Sequence, residues 1–227
     1  MEHIVVLTGA GMSAESGIAT FRDSGGMWEQ YRVEEVATPE GFARNPQLVL
    51  DFYNARRKAA FDAKPNKGHI GLAEMEKDYK ISIITQNVDN LHERAGSTNV
   101  VHLHGELDKV RSTADPSLIY TLTPDNCEIR LGDKCEKGSQ LRPHIVWFGE
   151  AVPMIEEAVD IVRTADILVV IGTSLNVYPA AGLLNYVKSG TPIFLIDPNE
   201  VKSYRDDIHF IKKGASEGVE ELRRLLN

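Results

Sequence analysis

Five short apolar runs, each broken at its carboxyl end by glycine or polar residues, constrain this chain more than any other feature. They are Ile4 to Leu7, Ile81 to Ile84, Val100 to Leu103, Ile167 to Ile171 and Ile193 to Ile196. A nearly continuous run of four or five apolar residues, here interrupted only at Ser82 and His102, is what a strand covered on both faces requires, and such strands belong to parallel sheets. Helical patterns follow the later runs or precede them: Ile155, Ala158, Val159 and Val162 at i, i+3, i+4 and i+7, then Leu183, Leu184 and Val187 after Pro179, and finally Val219, Leu222 and Leu226. Strands alternating with such helices predict an α/β fold built on a doubly wound parallel sheet.

Two segments depart from the alternation. Gly25 to about Asp78 reads as mostly helical, punctuated by Pro39, Pro46 and Pro65, and Lys109 to Pro143 has turn formers, both cysteines and no helical period. Both read as insertions that form a small module (25–78 with 109–143) beside a large one (1–24, 79–108 and 144–227). At 227 residues with 42% hydrophobic content, the chain has ample material for a core. A net charge of −8 and a pI near 5.4 argue against nucleic acid as a partner. No run approaches the roughly 18 apolar residues of a membrane span, and Met1-Glu2-His3 leads directly into a strand without a basic leader, so a soluble cytoplasmic protein with no membrane partner is expected. Two cysteines, Cys127 and Cys135, cannot supply a disulfide framework.

Ligands of doubly wound sheets sit at the carboxyl ends of the strands, and four motifs fall there. Gly9-Ala10-Gly11 with Ser13 lets the backbone approach a pyrophosphate, with amides at the next helix start as donors; the bland alternative is an ordinary glycine turn. Phe21 and Arg22 add a ring and a guanidinium near the same loop. Gln86, Asn87 and Asp89 follow the second run as a polar cluster that needs partners if buried, suited to an amide-bearing ligand or, more simply, to capping the helix that starts near Leu91. His102 and His104 share one face of a strand, but only His104 abuts a glycine, where a group with a pKa of about 6.5 can accept a proton. Gly172-Thr173-Ser174 and Asp197-Pro198-Asn199 complete the set.

Taken together, Gly9-Ala10-Gly11-Met12-Ser13 through Gly17-Ile18 and Phe21-Arg22, Thr85-Gln86-Asn87-Val88-Asp89, Leu103-His104-Gly105, Leu141-Arg142-Pro143 with Val146-Trp147-Phe148-Gly149-Glu150, and Gly172-Thr173-Ser174-Leu175 resemble the sirtuins, NAD-dependent protein-lysine deacylases. The resemblance implies a Rossmann-like large domain, a small domain made of the two insertions, NAD consumed as co-substrate, and acyl-lysine proteins or peptides as partners. It implies that the acyl oxygen attacks the nicotinamide ribose, that nicotinamide leaves with formation of an alkylimidate, and that His104 then activates a ribose hydroxyl to yield O-acyl-ADP-ribose. Asn87 and Asp89 would hold the nicotinamide and its ribose, with Asn87 counted as catalytic beside His104. Further cofactor contacts are implied at Asn199, Glu200 and Ala215, and substrate contacts at Val177 and along Val146 to Glu150, which would pair with the peptide as an added strand. An ADP-ribosyltransferase, or a non-catalytic NAD sensor, would use the same cleft.

Phe52-Tyr53-Asn54-Ala55-Arg56-Arg57 also resembles the segment that lines the acyl pocket of desuccinylase and demalonylase sirtuins. Tyr53 and Arg56, at i and i+3, share a helix face and supply a phenol and a guanidinium for a carboxylate, which implies acidic acyl substrates. The alternative is a solvated basic face at Arg56-Arg57-Lys58. Where most sirtuins carry a four-cysteine zinc ribbon, this chain has Arg111-Ser112-Thr113-Ala114 in place of the first pair, and Cys127 and Cys135 lack knuckle spacing. No zinc is therefore expected; packing among Val110, Leu118, Ile119, Tyr120, Leu122, Ile129 and Leu131 is expected to hold the segment instead. His102 stands where the family often has glutamate.

Overall fold

The computed structural model describes residues 1–19, 30–201 and 205–227. Its strands are β1 (His3–Thr8), β2 (Lys80–Thr85), β3 (Val100–His102), β4 (Gly105–Ser112), β5 (Ile119–Thr121), β6 (Leu141–Ile145), β7 (Ile167–Ile171), β8 (Ile193–Ile196) and β9 (Ile208–Ile211). All five apolar runs are strands of one parallel sheet, in the order β3-β2-β1-β7-β8-β9. Each inner strand buries both faces. Ile4 and Val6 pack with Leu72 and Met75 of the Lys67–Met75 helix and with Val219 and Leu222 of the Ala215–Leu226 helix. Val5 and Leu7 pack on the other side with Ala158 and Val162 of the Ile155–Arg163 helix and with Leu183 and Leu184 of a 3-10 segment, Ala180–Tyr186.

The sheet therefore has the Rossmann-like doubly wound topology, with its strand order reversing between β1 and β7. Strand β9 carries no sequence signal of its own. As an edge strand it pairs only with β8, and His209 and Phe210 are exposed, so no continuous apolar run is required of it.

The second sheet is antiparallel, in the order β5-β4-β6, and the sequence-based boundary at residue 109 falls inside β4. The helical segment before β2 is likewise shared: the Pro46–Asp62 helix supports the small sheet, whereas Lys67–Met75 lies on the parallel one. Packing in the 109–143 segment is narrower than expected. Val110 and Ile129 bury around Leu50 of the Pro46–Asp62 helix, with Tyr120, Leu122 and Leu141 at the margin. Ile119 and Leu131 instead remain 44% and 49% exposed, because β5 is an edge strand and Leu131 lies in a turn.

Polar side chains do the rest. Arg57 is fully buried, which overturns the solvated-face reading of Arg56-Arg57-Lys58 at this position. Its guanidinium donates to the Leu107 carbonyl of β4, to Asn54 Oδ1 at 2.7 Å and to the Cys127 carbonyl at 2.8 Å. Asn54 in turn donates to the Ile129 carbonyl and accepts from its amide. Burial pulls the Arg57 pKa down to about 10, so the side chain is still charged at neutral pH. Both thiols are free, and the Cys135 Sγ donates to Ser112 Oγ at 3.3 Å. Ser112 Oγ also accepts from the amides of Ala114 and Asp115, closing the turn where a first cysteine pair would stand. Two cysteines, one of them engaged by a serine, do not fit a four-ligand zinc site.

Arg57→Met is expected to lower unfolding free energy by about 3 kcal/mol or more, because it strands buried acceptors on three segments. Arg57→Lys should recover only part of that, since an ammonium cannot reproduce the planar fork. Urea titration of the three proteins measures it.

Candidate active site

The loops after β1 and β7 touch backbone to backbone at the point of reversal. The Gly9 amide donates to the Ile171 carbonyl at 3.0 Å and the Gly11 amide to the Gly172 carbonyl at 2.8 Å. A Cβ on Gly11 would lie 2.6 Å from the Gly172 Cα, and Gly172 itself has φ +62°. The glycines thus serve loop-on-loop contact. The amides of Met12 and Ser13, expected to be donors at the helix start, bond to the carbonyls of Gly9 and Ala10 within a helix of only four residues, Gly11–Ala14. Ala10 is left half-exposed on this loop.

Behind the loops lies a buried polar network. Ser13 Oγ donates to Asp89 Oδ2 at 2.9 Å and accepts from Asn87 Nδ2 at 3.2 Å; Asn87 Nδ2 also donates to the Gly9 carbonyl at 3.0 Å. Asp89 Oδ1 accepts from the Leu91 amide, so the capping and site readings of this carboxylate meet in one side chain. Burial raises the Asp89 pKa, and the bonds from Leu91 and Ser13 oppose that rise. Gln86 Nε2 donates to Thr173 Oγ1 at 3.1 Å, which ties the end of β2 to the end of β7, and Ser174 follows, half-buried.

Two histidines that sequence reading missed support this network. His69 accepts from the Asn66 amide at Nδ1 and approaches Ser13 Oγ through Nε2 at 3.5 Å. The His92 ring stands edge-on to it at 4.8 Å, and its Nε2 bonds to Thr8 Oγ1. Burial takes His69 down to about 4 and His92 well below its ordinary value, so both are neutral. Nothing in their spacing marks them, since they come from two different helices.

His104 lies just past β3, with Nδ1 3.1 Å from the Gln86 carbonyl. A carbonyl only accepts, so Nδ1 carries the proton and Nε2 bears the lone pair. Burial lowers the His104 pKa, partly offset by that hydrogen bond, and the ring is neutral and basic at physiological pH. Two residues earlier, His102 contacts the Asn87 carbonyl and Glu93. Among the described residues, Glu93, His102 and Glu106 are the one group of metal-type donors that converges, within 4.8 Å. They form an ion-pair cluster, Glu93 with His102 and Glu106 with Lys109 at 2.8 Å.

After β6, Val146 leads into a turn from Trp147 to Glu150. The Val146 amide bonds to the His104 carbonyl and the Phe148 amide to the Ala37 carbonyl. Glu150 closes the turn: its carboxylate binds Arg142 through both guanidinium nitrogens, at 2.7 and 3.1 Å, and accepts from the Trp147 amide at 2.8 Å. Those partners hold its pKa low against burial. The Arg142 guanidinium stacks 3.5 Å above the Trp147 ring, while Gly149 has φ +90°. Phe148 and Val177 remain 51% and 41% exposed.

Tyr53 is buried, and its hydroxyl accepts from Trp147 Nε1 at 3.1 Å and from Arg56. Arg56 is half-buried with its guanidinium 5.6 Å from the Phe52 and Tyr53 ring centres, and burial lowers its pKa while its interactions with Tyr53 and Asp89 oppose that. Asn199 and Glu200 are exposed after β8, the Asn199 amide bonding to Asp197. Ala215 is buried at the start of the last helix. Phe21 and Arg22 lie outside the described residues.

Comparison with known proteins agrees with this arrangement. Residues 9–179 match the model of the Sir2 family. The chain is 63% identical, over all of its length and 98% of the relative's, to an NAD-dependent protein deacylase of Bacteroides thetaiotaomicron. It superimposes with a TM-score of 0.86 on a Sir2 homologue in complex with NAD, 43% identical and covering 99% of this chain and 91% of that one. A Sir2 protein with a deacetylated p53 peptide and 3′-O-acetyl ADP-ribose gives 0.83 at 32% identity, covering 98% and 92%. The match begins at the glycine contact between β1 and β7 and runs through the loop, histidine and turn that surround it: the chain belongs to the Sir2 family, the sirtuins.

Proposed function

We propose that the protein is an NAD-dependent protein-lysine deacylase in which His104 is the general base. The observation that carries this reading is the His104 ring, neutral and tautomerically fixed by the Gln86 carbonyl, directly beside the loop of Asn87 and Asp89. The name of the Bacteroides relative and the NAD bound by the solved homologue support it. The large and small domains assigned from sequence, 1–24, 79–108 and 144–227 against 25–78 and 109–143, are carried over as part of the proposal. So are a cytoplasmic location and partners limited to acylated proteins or peptides, with neither nucleic acid nor membrane.

When bound, NAD supplies a nicotinamide leaving group and a ribose carbon that takes the acyl oxygen. Asn87 has both amide hydrogens committed to Gly9 and Ser13, so Oδ1 is the atom it offers to the nicotinamide carboxamide. Asp89, Ser13 and Gln86 would hold that end in place and Gly9, Ala10, Gly11, Gly172, Thr173 and Ser174 would take the phosphates; the cofactor role that the family resemblance implies for Phe21 and Arg22 is carried over with them. Asn199, Glu200 and Ala215 take the adenosine end. His104 Nε2 removes a proton from a ribose hydroxyl. Exposed Phe148 and Val177 line the peptide path, and Val146, Gly149 and Glu150 shape its floor.

The preferred acyl group is acidic, succinyl or malonyl, with acetyl as a further substrate. Tyr53 already accepts two hydrogen bonds, so its remaining capacity is its own proton, which requires an acceptor, and the Arg56 charge lies beside it.

Catalytic efficiency is expected to fall on acidification with a midpoint below 6.5, because the base must be unprotonated and burial lowers its pKa. His104→Tyr should abolish turnover while NAD still binds in calorimetry. Arg56→Met should reduce desuccinylation about tenfold or more, the scale of a charge-assisted contact, and leave deacetylation within a few-fold; peptide panels read both. Elemental analysis should find no stoichiometric zinc in the purified protein, and chelator should not lower its Tm.

A further inference from the structure

We propose that His102 is a positioning residue for the nicotinamide-side loop, its ring donating from both nitrogens to fasten the Asn87 carbonyl to Glu93. The inference rests on the deacylase reading for its consequence in catalysis, though not for its effect on NAD binding.

His102 ends β3 with its side chain 7% exposed. Nδ1 lies 3.1 Å from the Asn87 carbonyl and Nε2 lies 2.7 Å from Glu93 Oε1. Both partners can only accept, so both nitrogens carry protons and the ring is an imidazolium. Its neighbours agree. Burial opposes the charge, but Glu93 of the Leu91–Ala95 helix, Glu106 of β4 and the Asn87 carbonyl outweigh it and raise the pKa. Lys109 pairs with Glu106, and Asp89 and His92 are the other titratable groups that feel the ring; it favours ionised Asp89 and further depresses His92.

His102 and His104 stand two residues apart and bond to consecutive carbonyls, Asn87 and Gln86. One imidazole is charged and one neutral. Between them they fix the backbone from which the Asn87 and Asp89 side chains project into the buried network. Releasing the Asn87 carbonyl would let its amide drift from Gly9 and Ser13, and with it the atom offered to the cofactor.

The full chain tests this through two isosteres. His102→Asn places an amide near Nδ1 and retains the bond to Asn87, whereas His102→Gln reaches only toward Glu93. By calorimetry with NAD, His102→Gln should weaken binding about fivefold or more, the scale of one lost hydrogen bond, and His102→Asn should restore most of it. With an acyl-lysine peptide, KM for NAD should follow the same order while peptide KM stays put. In the wild type NAD affinity should decline as pH rises through a value above 6.5, and His102→Asn should remove that decline. Equal NAD affinity in both variants and the wild type, or an alkaline decline that persists in His102→Asn, overturns the proposal. So does a parallel loss of NAD and peptide binding with a lowered Tm, which marks a merely structural residue. Wild-type protein that binds NAD but never deacylates would sink the deacylase reading alone, and calorimetry would still decide His102.

Discussion

The site depends first on a steric fact: two loops at the centre of the sheet pass so closely that neither can carry a Cβ. Gly11 and Gly172 meet where any larger residue would sit 2.6 Å or less from main chain. That approach is what brings Ser13, one turn after β1, within hydrogen-bond reach of Asn87 and Asp89 after β2, and what seats Thr173 beneath Gln86. Polar groups this deep are tolerable because they satisfy one another. Push the loops apart by a methyl group, and several buried donors and acceptors lose partners at once.

The electrostatics follow from burial acting with opposite results on similar groups. His69, His92 and His104 have lowered pKa values because desolvation dominates, whereas His102 is raised because two glutamates and a carbonyl face it. A neutral ring is available as a base within two residues of a charged one that serves as a fastener. The division of labour comes from the partners: a lone carbonyl for His104, a carbonyl plus a carboxylate for His102.

Much of this was legible in sequence. Unbroken apolar runs announce strands buried on both sides, so the parallel sheet and the loops at its carboxyl edge could be read from Ile4 to Leu7 and Ile167 to Ile171 alone. β9 could not, since a half-exposed edge strand needs no such run. The closure of the Trp147–Glu150 turn carries no sequence signal, because it depends on Arg142 and Glu150 meeting across a distance that residue spacing does not encode. The role of Arg57 was not legible for a related reason: amid Arg56 and Lys58 it carries no mark of burial until the carbonyls of Leu107 and Cys127 are brought to it by tertiary folding. Those two contacts, with Ser112 and Cys135, show how the small sheet is pinned by main-chain acceptors and a hydroxyl.

The two stapling histidines flank Leu103, which is completely buried. Side chains in extended chain alternate between faces, so adding or deleting a single residue between Val100 and Gly105 would turn the leucine toward the polar loop and drive both imidazoles into hydrocarbon. This short stretch is therefore intolerant of length variation as well as of substitution, and natural or engineered insertions should be found outside it.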